Sequence, residues 1–567
     1  MQALDEFIHE PRVGYFSMEI ALRSEMPTYA GGLGILAGDT LRSAADLALP
    51  LVAVSLVSRA GNFRQEIDAQ GQQIEHPSPW DPARWAQQLD AKIAVRIEGR
   101  AVWIGAWLYV LEAHLGGRAP VILLDTDLPE NRPEDRQITH YLYGGDDAYR
   151  LKQEFVLGVG GVRVLHALGF DISAYHMNEG HSALLAVELL RRYAHRPEEV
   201  RPGESAYDIP RVRELCRFTT HTPVEAGHDR FPYELVTRVL NNDEAGGGNA
   251  FIDQAVLRNL AGPERLNMTR LALNLSDFVN GVAKRHAEVS AGMFPGYQLR
   301  AITNGVHPYT WTAESFRALY DRYVPGWCHE PELLVRAHAI PDAAITDAHA
   351  QAKQTLIDIV RDSMGVTLHP KQPILGFARR MTAYKRPDLL FSEPDRLRAL
   401  ARERSFQIVL AGKAHPHDEE GKRLIARLHE RARSLADAIP VVFLPDYDMA
   451  LARAMVAGVD VWLNTPQPPM EASGTSGMKA SLNGVPSLSV LDGWWIEGCI
   501  EGVTGWGIQD AATLYDKLER TVLPLFYGYT DDPRGWIKVM KGAISTNASY
   551  FNSHRMMRRY ATEAYLR

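Results

Sequence analysis

In the second half of the chain, apolar and β-branched residues cluster at 373–377, 407–410, 440–444, 459–463 and 487–491. Between these runs, apolar and polar positions recur at helical spacing over 386–403, 419–438, 448–458 and, briefly, about 475–483. Strands interleaved with helices in this rhythm predict βαβ units on a parallel sheet. The first half has the same ingredients less regularly, with strands predicted at 13–16, 51–56, 102–111, 121–124 and 215–219. A glycine-rich turn, Gly31-Gly32-Leu33-Gly34, leads into a helical pattern over 36–47. This predicts a second α/β domain with more elaborate loops.

Residues 223–248 are rich in loop formers, and the EAGGG stretch at 244–248 is expected to be a flexible tip. ITNGVHP combines Asn-Gly and His-Pro turn signals, which sets a domain boundary near 303–308. The predicted organisation is an α/β domain over 1–305, a second, Rossmann-like domain over 306–545, and a helical tail, 546–567, packing back on the first. Two Rossmann-like domains would face each other across a cleft at the carboxyl ends of both sheets, where ligands usually bind.

A chain of 567 residues exceeds what one hydrophobic core supports, in keeping with two domains. Its 46% hydrophobic and 23% charged residues describe a folded protein. The net charge of −8 argues against a general nucleic-acid or anionic-membrane binder, so an anionic ligand must meet a local basic cluster. Cys216, Cys328 and Cys499 lie far apart with no CxxC pair, which fits a reducing compartment. The N-terminus is acidic where a signal peptide would be basic, and the most apolar stretch, 47–57, contains Pro50 and is too short to span a bilayer. A soluble cytoplasmic protein is expected.

The densest chemical signal is Glu471-Ala-Ser-Gly-Thr-Ser-Gly-Met-Lys479, directly after the apolar run VDVWLNTP. Small residues let backbone N–H groups approach a ligand where a helix begins, and such a terminus favours phosphate. Lys479 falls about one turn into that helix. A lysine beside a phosphate cradle is what a Schiff-base cofactor with a phosphate arm requires. The competing reading is a Gly/Ser-rich helix cap with a surface lysine.

A second cluster, GFARRMTAYKR, gathers Arg379, Arg380, Lys385 and Arg386 at another strand's carboxyl end, and suggests phosphate binding. A solvated helix face is its alternative. Gly31–Gly34 permits backbone approach to sugar or phosphate, or is an ordinary tight turn. His181, His221 and the Asp146-Asp147 pair have no metal-ligand spacing, so no metal is expected.

Together these segments resemble the α-glucan phosphorylases. EASGTSGMKASLNG is similar to that family's cofactor-lysine signature and ARRMTAYKR to its phosphate-binding segment. RLKQEFVLGVGGVR, NEGHSALLAVELLR, FVNGVAKRHAEVS, TNGVHPYTW and SVLDG resemble further family blocks in the same order. The resemblance implies an enzyme that cleaves α-1,4-glucan ends with inorganic phosphate, with retention, to give glucose 1-phosphate.

By position, Lys479 would carry pyridoxal 5′-phosphate. Arg379, Thr475, Ser476 and Gly477 would hold the cofactor's phosphate, and Tyr447 would contact the cofactor. Arg380 and Lys385 would bind the substrate phosphate, with backbone help from Gly32 and Leu33. Glu471, Ser473, Gly474 and Asn304 would hydrogen-bond the sugar, His221 would lie beside it at the reacting centre, and Asp146 or Asp147 would touch substrate. In this family the cofactor's phosphate, not its ring, is thought to assist the reaction. A homodimer is also implied.

The sequence departs from the family's long members in having Arg379 for lysine, Ser476-Gly477 for Gly-Asn, and Ile35 for arginine after the glycine turn. The chain is also several hundred residues' worth shorter than those enzymes, so their N-terminal regulatory segments and effector control are expected to be missing. SGMK and DGWW look like a compact bacterial or archaeal subgroup. The alternatives are a glycogen-synthase-like nucleotide-sugar glucosyltransferase, which has no need of Lys479, and a non-catalytic glucan-binding protein, in which the cationic clamp would have decayed.

Overall fold

A computed structural model describes residues 2–240, 251–528 and 534–566; the expected tip at 244–248 lies outside them. Ten strands form the first sheet: β1 (Arg12–Ser17), β2 (Leu51–Leu56), β3 (Gln87–Gln88), β4 (Ile93–Ile97), β5 (Arg100–Glu112), β6 (Arg118–Asp125), β7 (Ile172–Asn178), β8 (Cys216–Thr219), β9 (Phe278–Gly281) and β10 (Arg300–Ala301). Their order is β10-β9-β8-β7-β1-β2-β6-β5-β3, with β4 paired to β5. From β10 to β6 the pairing is parallel; the β6–β5 pair is antiparallel.

The second sheet holds β11 (Ile374–Ala378), β12 (Gln407–Ala411), β13 (Val441–Leu444), β14 (Val461–Asn464), β15 (Ser487–Val490) and β16 (Gly505–Ile508), ordered β13-β12-β11-β14-β15-β16 and parallel throughout. Read from its first strand, this is the 3-2-1-4-5-6 permutation of a doubly wound sheet. The parallel part of the first sheet repeats it with a seventh strand, β10, added at the edge. Each sheet therefore has a switch point, between β1 and β7 and between β11 and β14, where the crossovers diverge and leave a crevice. The two-Rossmann α/β architecture expected from the sequence is the one observed.

The strands of the second half match the apolar runs to within two residues, because helices cover both faces and nearly every strand position is buried. β16 was not predicted, since GWGI reads as a turn. The helices that frame the crevices and the joint between the halves include α1 (Gly32–Asp46), α2 (Asp147–Phe155), α3 (Asp342–Met364), α4 (Pro394–Glu403), α5 (Glu419–Leu435), α6 (Met449–Gly458), α7 (Ser476–Ser481) and α8 (Ser553–Tyr560). The helix expected over 386–403 begins only at Pro394, the start of α4. Arg386 precedes Pro387, which disfavours the α region, and it sits at φ 44°, ψ 55°. Its guanidinium is tied to the carbonyls of Thr465 (2.9 Å) and Pro466 (2.6 Å). α1, by contrast, starts four residues earlier than its periodicity predicts, inside the glycine turn.

Two features join the halves. A hairpin, Arg64–Ile67 with Gln73–His76, reaches from the first half to the second. There Gln65 Nε2 donates to the Gly412 carbonyl (2.9 Å), and Gln65 and Asp446 exchange two further bonds of 2.9 Å. The tail returns to the first sheet: Val306 and Ser553 bond between their backbones (2.9 Å), and the Tyr565 hydroxyl meets His176 Nδ1 (2.6 Å). Among the described residues, no helix is long and apolar enough to cross a membrane.

Candidate active site

The two switch-point crevices face each other as opposite walls, with Glu19 and Tyr143 of the first half within electrostatic reach of Arg380 of the second. On the second-half wall, β11 ends at Ala378 and delivers Arg379 and Arg380. β14 ends at Asn464, and its following loop delivers Glu471. Glu471 is nearly buried, and a single carboxylate oxygen accepts from both Arg379 (2.6 Å) and Lys385 (2.7 Å). Burial acts to raise this carboxyl, but the two cations outweigh it and hold the pKa at about 2. The Glu471 N–H in turn donates to Asp492 (2.9 Å), which fixes the loop.

Arg380 is exposed to solvent, yet the walls that crowd it work against its charge. Tyr384 outweighs this effect, helped by Glu19 and Tyr143 from the opposite wall, so the guanidinium stays charged. Two of these cations, Arg379 and Lys385, share one buried carboxylate, and Arg380 stands apart from it. The fourth cation of the motif, Arg386, is spent on main-chain carbonyls instead.

Lys479 lies in α7. Its side chain is buried, and its amine stands 3.7 Å from the centroid of the Trp311 ring. Burial draws its pKa down to about 8, which Asp39 partly opposes. Trp311 is held by its own indole N–H, which donates to Asp39 Oδ2 (2.8 Å). Among the described residues the Lys479 amine has no hydrogen-bond acceptor, and the N–H groups of Gly474, Thr475, Ser476 and Gly477 donate to none.

The turn before α7 is shaped for this. Gly474 has φ +72°, and a Cβ on Gly477 would stand 2.7 Å from the Trp494 ring. The Ser473 carbonyl accepts from Trp494 N–H (2.9 Å), while Ser476 Oγ accepts from the Trp462 indole (2.9 Å). Tyr447 is half-buried nearby; burial raises its hydroxyl pKa, and Arg379 is among the charges it feels.

On the first-half wall, the segment after β1 carries Glu19, whose carboxylate accepts from Ala30 N–H (2.5 Å), Gly31 N–H (3.0 Å) and the Tyr143 hydroxyl (3.1 Å). This fixes the glycine turn. Gly34 is required there, since a Cβ would fall 2.6 Å from Tyr29 Cβ and 2.8 Å from Glu19 Oε2. Gly32 is exposed with open space around it, and Leu33 is half-buried. Their N–H groups begin α1.

His221 follows β8. Its Nε2 bonds Asn178 Oδ1 (2.7 Å) and its N–H bonds Glu179 (2.7 Å). Burial pushes its pKa down to about 3, so the ring is neutral. Glu179 holds a left-handed φ of 77°, fixed by further bonds from Gly180 N–H and Thr222 Oγ1 (both 2.9 Å). Strain of this kind collects at functional sites.

Asn304 is buried with its Oδ1 unpaired, and its carbonyl accepts from Arg555 (2.9 Å). Asp146 is not part of the cationic cluster: it is exposed and caps α2, accepting from Tyr149 N–H (2.9 Å), and Asp147 is that helix's first residue. Residues that sequence reasoning overlooked include Glu19, Glu179, Asn178, Trp311 and Asp39. Asn178 and Glu179 sat in NEGHSALLAVELLR and Trp311 closes TNGVHPYTW, but no role was read from them.

The chain matches the family model for carbohydrate phosphorylases over residues 130–503. It is 38% identical to a maltodextrin phosphorylase of Thermococcus litoralis and 36% identical to a glycogen phosphorylase of Mycobacterium tuberculosis, in both cases over 98% of this chain and 70% of the relative. It is also 31% identical to an uncharacterised protein of Methanocaldococcus jannaschii, over 97% of this chain and 99% of that one.

Proposed function

This chain belongs to the carbohydrate phosphorylase family, and from that premise we propose that it is an α-1,4-glucan phosphorylase releasing glucose 1-phosphate from glucan ends. The observation that carries the reading is the buried Lys479 amine, lowered to a pKa of about 8, on the helix that follows the loop whose Glu471 is shared by Arg379 and Lys385. A nucleotide-sugar transferase has no use for such a lysine.

The residues fit pyridoxal phosphate. Lys479 keeps a substantial neutral fraction near neutral pH, which an amine needs to react with an aldehyde. The undonated N–H groups of 474–477 and the buried, unpaired Nε of half-buried Arg379 are donors suited to a phosphate. When bound, the cofactor supplies a phosphate able to exchange a proton with a neighbouring phosphate.

Arg379, Thr475, Ser476 and Gly477 would hold that group, with Tyr447 packed beside it. Arg380 and Lys385, with the N–H groups of Gly32 and Leu33, would hold inorganic phosphate against the glycosidic oxygen that receives its proton. Glu471, kept ionised, accepts from a sugar hydroxyl, and Ser473, Gly474 and the unpaired Asn304 Oδ1 complete the grip. His221, being neutral, adds no positive charge to compete with that developing on the glucosyl carbon. Asp146 would contribute only at the rim.

The partition into 1–305, 306–545 and a returning 546–567 is part of this proposal, supported by the matching strand permutations and by the tail's bonds to the first sheet. A cytoplasmic setting, supported by three free thiols, and a homodimer complete it. The test is glucose 1-phosphate release from maltodextrin and phosphate by protein reconstituted with pyridoxal phosphate. No release, with glucosyl transfer from a nucleotide sugar instead, would sink the reading.

A further inference from the structure

Three side chains far apart in the sequence meet where α1, the link between the halves and α8 come together. Asp46 is the last residue of α1. His307 precedes the short helical turn Pro308–Trp311, and His554 lies in the first turn of α8. Their side chains are 2%, 2% and 0% exposed, and one ligand atom from each falls within 4.8 Å of the others. Asp46 Oδ2 stands 2.8 Å from His307 Nε2 and 3.6 Å from His554 Nε2.

His554 Nε2 is buried without a hydrogen-bond partner, although it faces that carboxylate. A desolvated ring nitrogen left unpaired beside a carboxylate is costly, and an ion shared between them removes the cost. We propose that Asp46, His307 and His554 bind one divalent transition-metal ion, zinc in the first instance.

Two imidazoles and one carboxylate are a zinc donor set, whereas calcium and magnesium favour oxygen alone. The ring centroids of His307 and His554 are 5.8 Å apart with planes 25° from parallel. Two imidazoles on one zinc, each nitrogen about 2 Å from the ion, place their centroids about 5–6 Å apart. The outer contacts fit as well. His307 Nδ1 lies 2.7 Å from Thr310 Oγ1 and accepts the Thr310 N–H (3.2 Å), and His554 Nδ1 lies 3.4 Å from Ser43 Oγ; an ion at His307 Nε2 would move that ring's proton to Nδ1, where Thr310 Oγ1 can accept it. Asp46 Oδ1 accepts the Leu115 N–H (3.0 Å), which orients the carboxylate.

Such an ion fastens α1 to the turn that carries Trp311. It thereby secures the Trp311–Asp39 bond beneath Lys479 from one side.

The full-length protein, stripped with chelator and dialysed against zinc, is analysed for metal; cobalt(II) is then added and its visible d–d bands recorded. About one tightly held equivalent per chain is expected, with tetrahedral cobalt bands, both lost in His554→Gln and in His307→Gln. Chelator should lower the melting temperature of the wild type. That comparison uses no variant, so it decides the matter even if the variants fail to fold. Failure to retain metal, an unchanged melting temperature, or cobalt bands that survive both substitutions would each overturn the site and leave a hydrogen-bonded cluster.

Discussion

The Lys479 amine rests 3.7 Å over the Trp311 ring, and the indole N–H beneath it is anchored on Asp39 of α1. An amine from one half of the molecule is thus seated on a platform bolted to the other. Lys479→Ala should fold, lack the visible absorption of bound pyridoxal phosphate, and lose at least about a thousandfold in phosphorolysis. Full activity in that variant would remove the role given to Lys479.

Glu471 offers a test by pH. Its folded pKa of about 2 lies below the ordinary 4.5, so its ionised form stabilises the fold above that ordinary value. That contribution is lost as pH falls from 4.5 towards 2. Glu471→Gln leaves Arg379 and Lys385 buried together and should cost about 3 kcal/mol at neutral pH. Denaturation midpoints between pH 6 and 2 should fall less steeply for the variant than for the wild type.

Arg380 and Arg386 sit six residues apart and should behave differently. Arg380→Ala is expected to raise the KM for phosphate about tenfold or more, the loss of one charged hydrogen-bonding group. Arg386→Ala strands the Thr465 and Pro466 carbonyls and should cost about 2 kcal/mol of stability, with KM unchanged in the folded fraction. Steady-state kinetics beside thermal melts separates the two.

Gly34→Ala forces a methyl to within 2.6 Å of Tyr29 Cβ and 2.8 Å of Glu19 Oε2. A cost of about 1–3 kcal/mol is expected, with weaker phosphate binding as Glu19 loses its hold on the turn. Gly32→Ala, with nothing near its Cβ, should leave stability unchanged within about 0.5 kcal/mol. Equal effects at the two positions would contradict the packing described.

The sequence was most legible where burial is two-sided. β11, β12 and β15 could be read from apolar runs because both faces of a parallel sheet are covered. Local chemistry failed where a side chain answers to distant backbone: Arg386 bonds carbonyls nearly eighty residues away, and no periodicity reveals that a helix has been forestalled. Lys479, Arg379 and Glu471 were visible because small residues and cations crowd two short segments. Glu19, Trp311 and Asp39 were not, since each is defined by a partner on another element. The Asp46, His307 and His554 grouping is the extreme case, with more than two hundred residues between successive members.

Arg380 draws part of its charge stabilisation from Glu19 and Tyr143 across the crevice. On the reading proposed above, an arriving phosphate must compete with a resident acid for that guanidinium. The opposite wall thus acts as a built-in rival to the substrate and limits how long any anion stays. An enzyme that must let go of a sugar phosphate on every turnover gains from such a rival, because tight capture would only slow the next cycle.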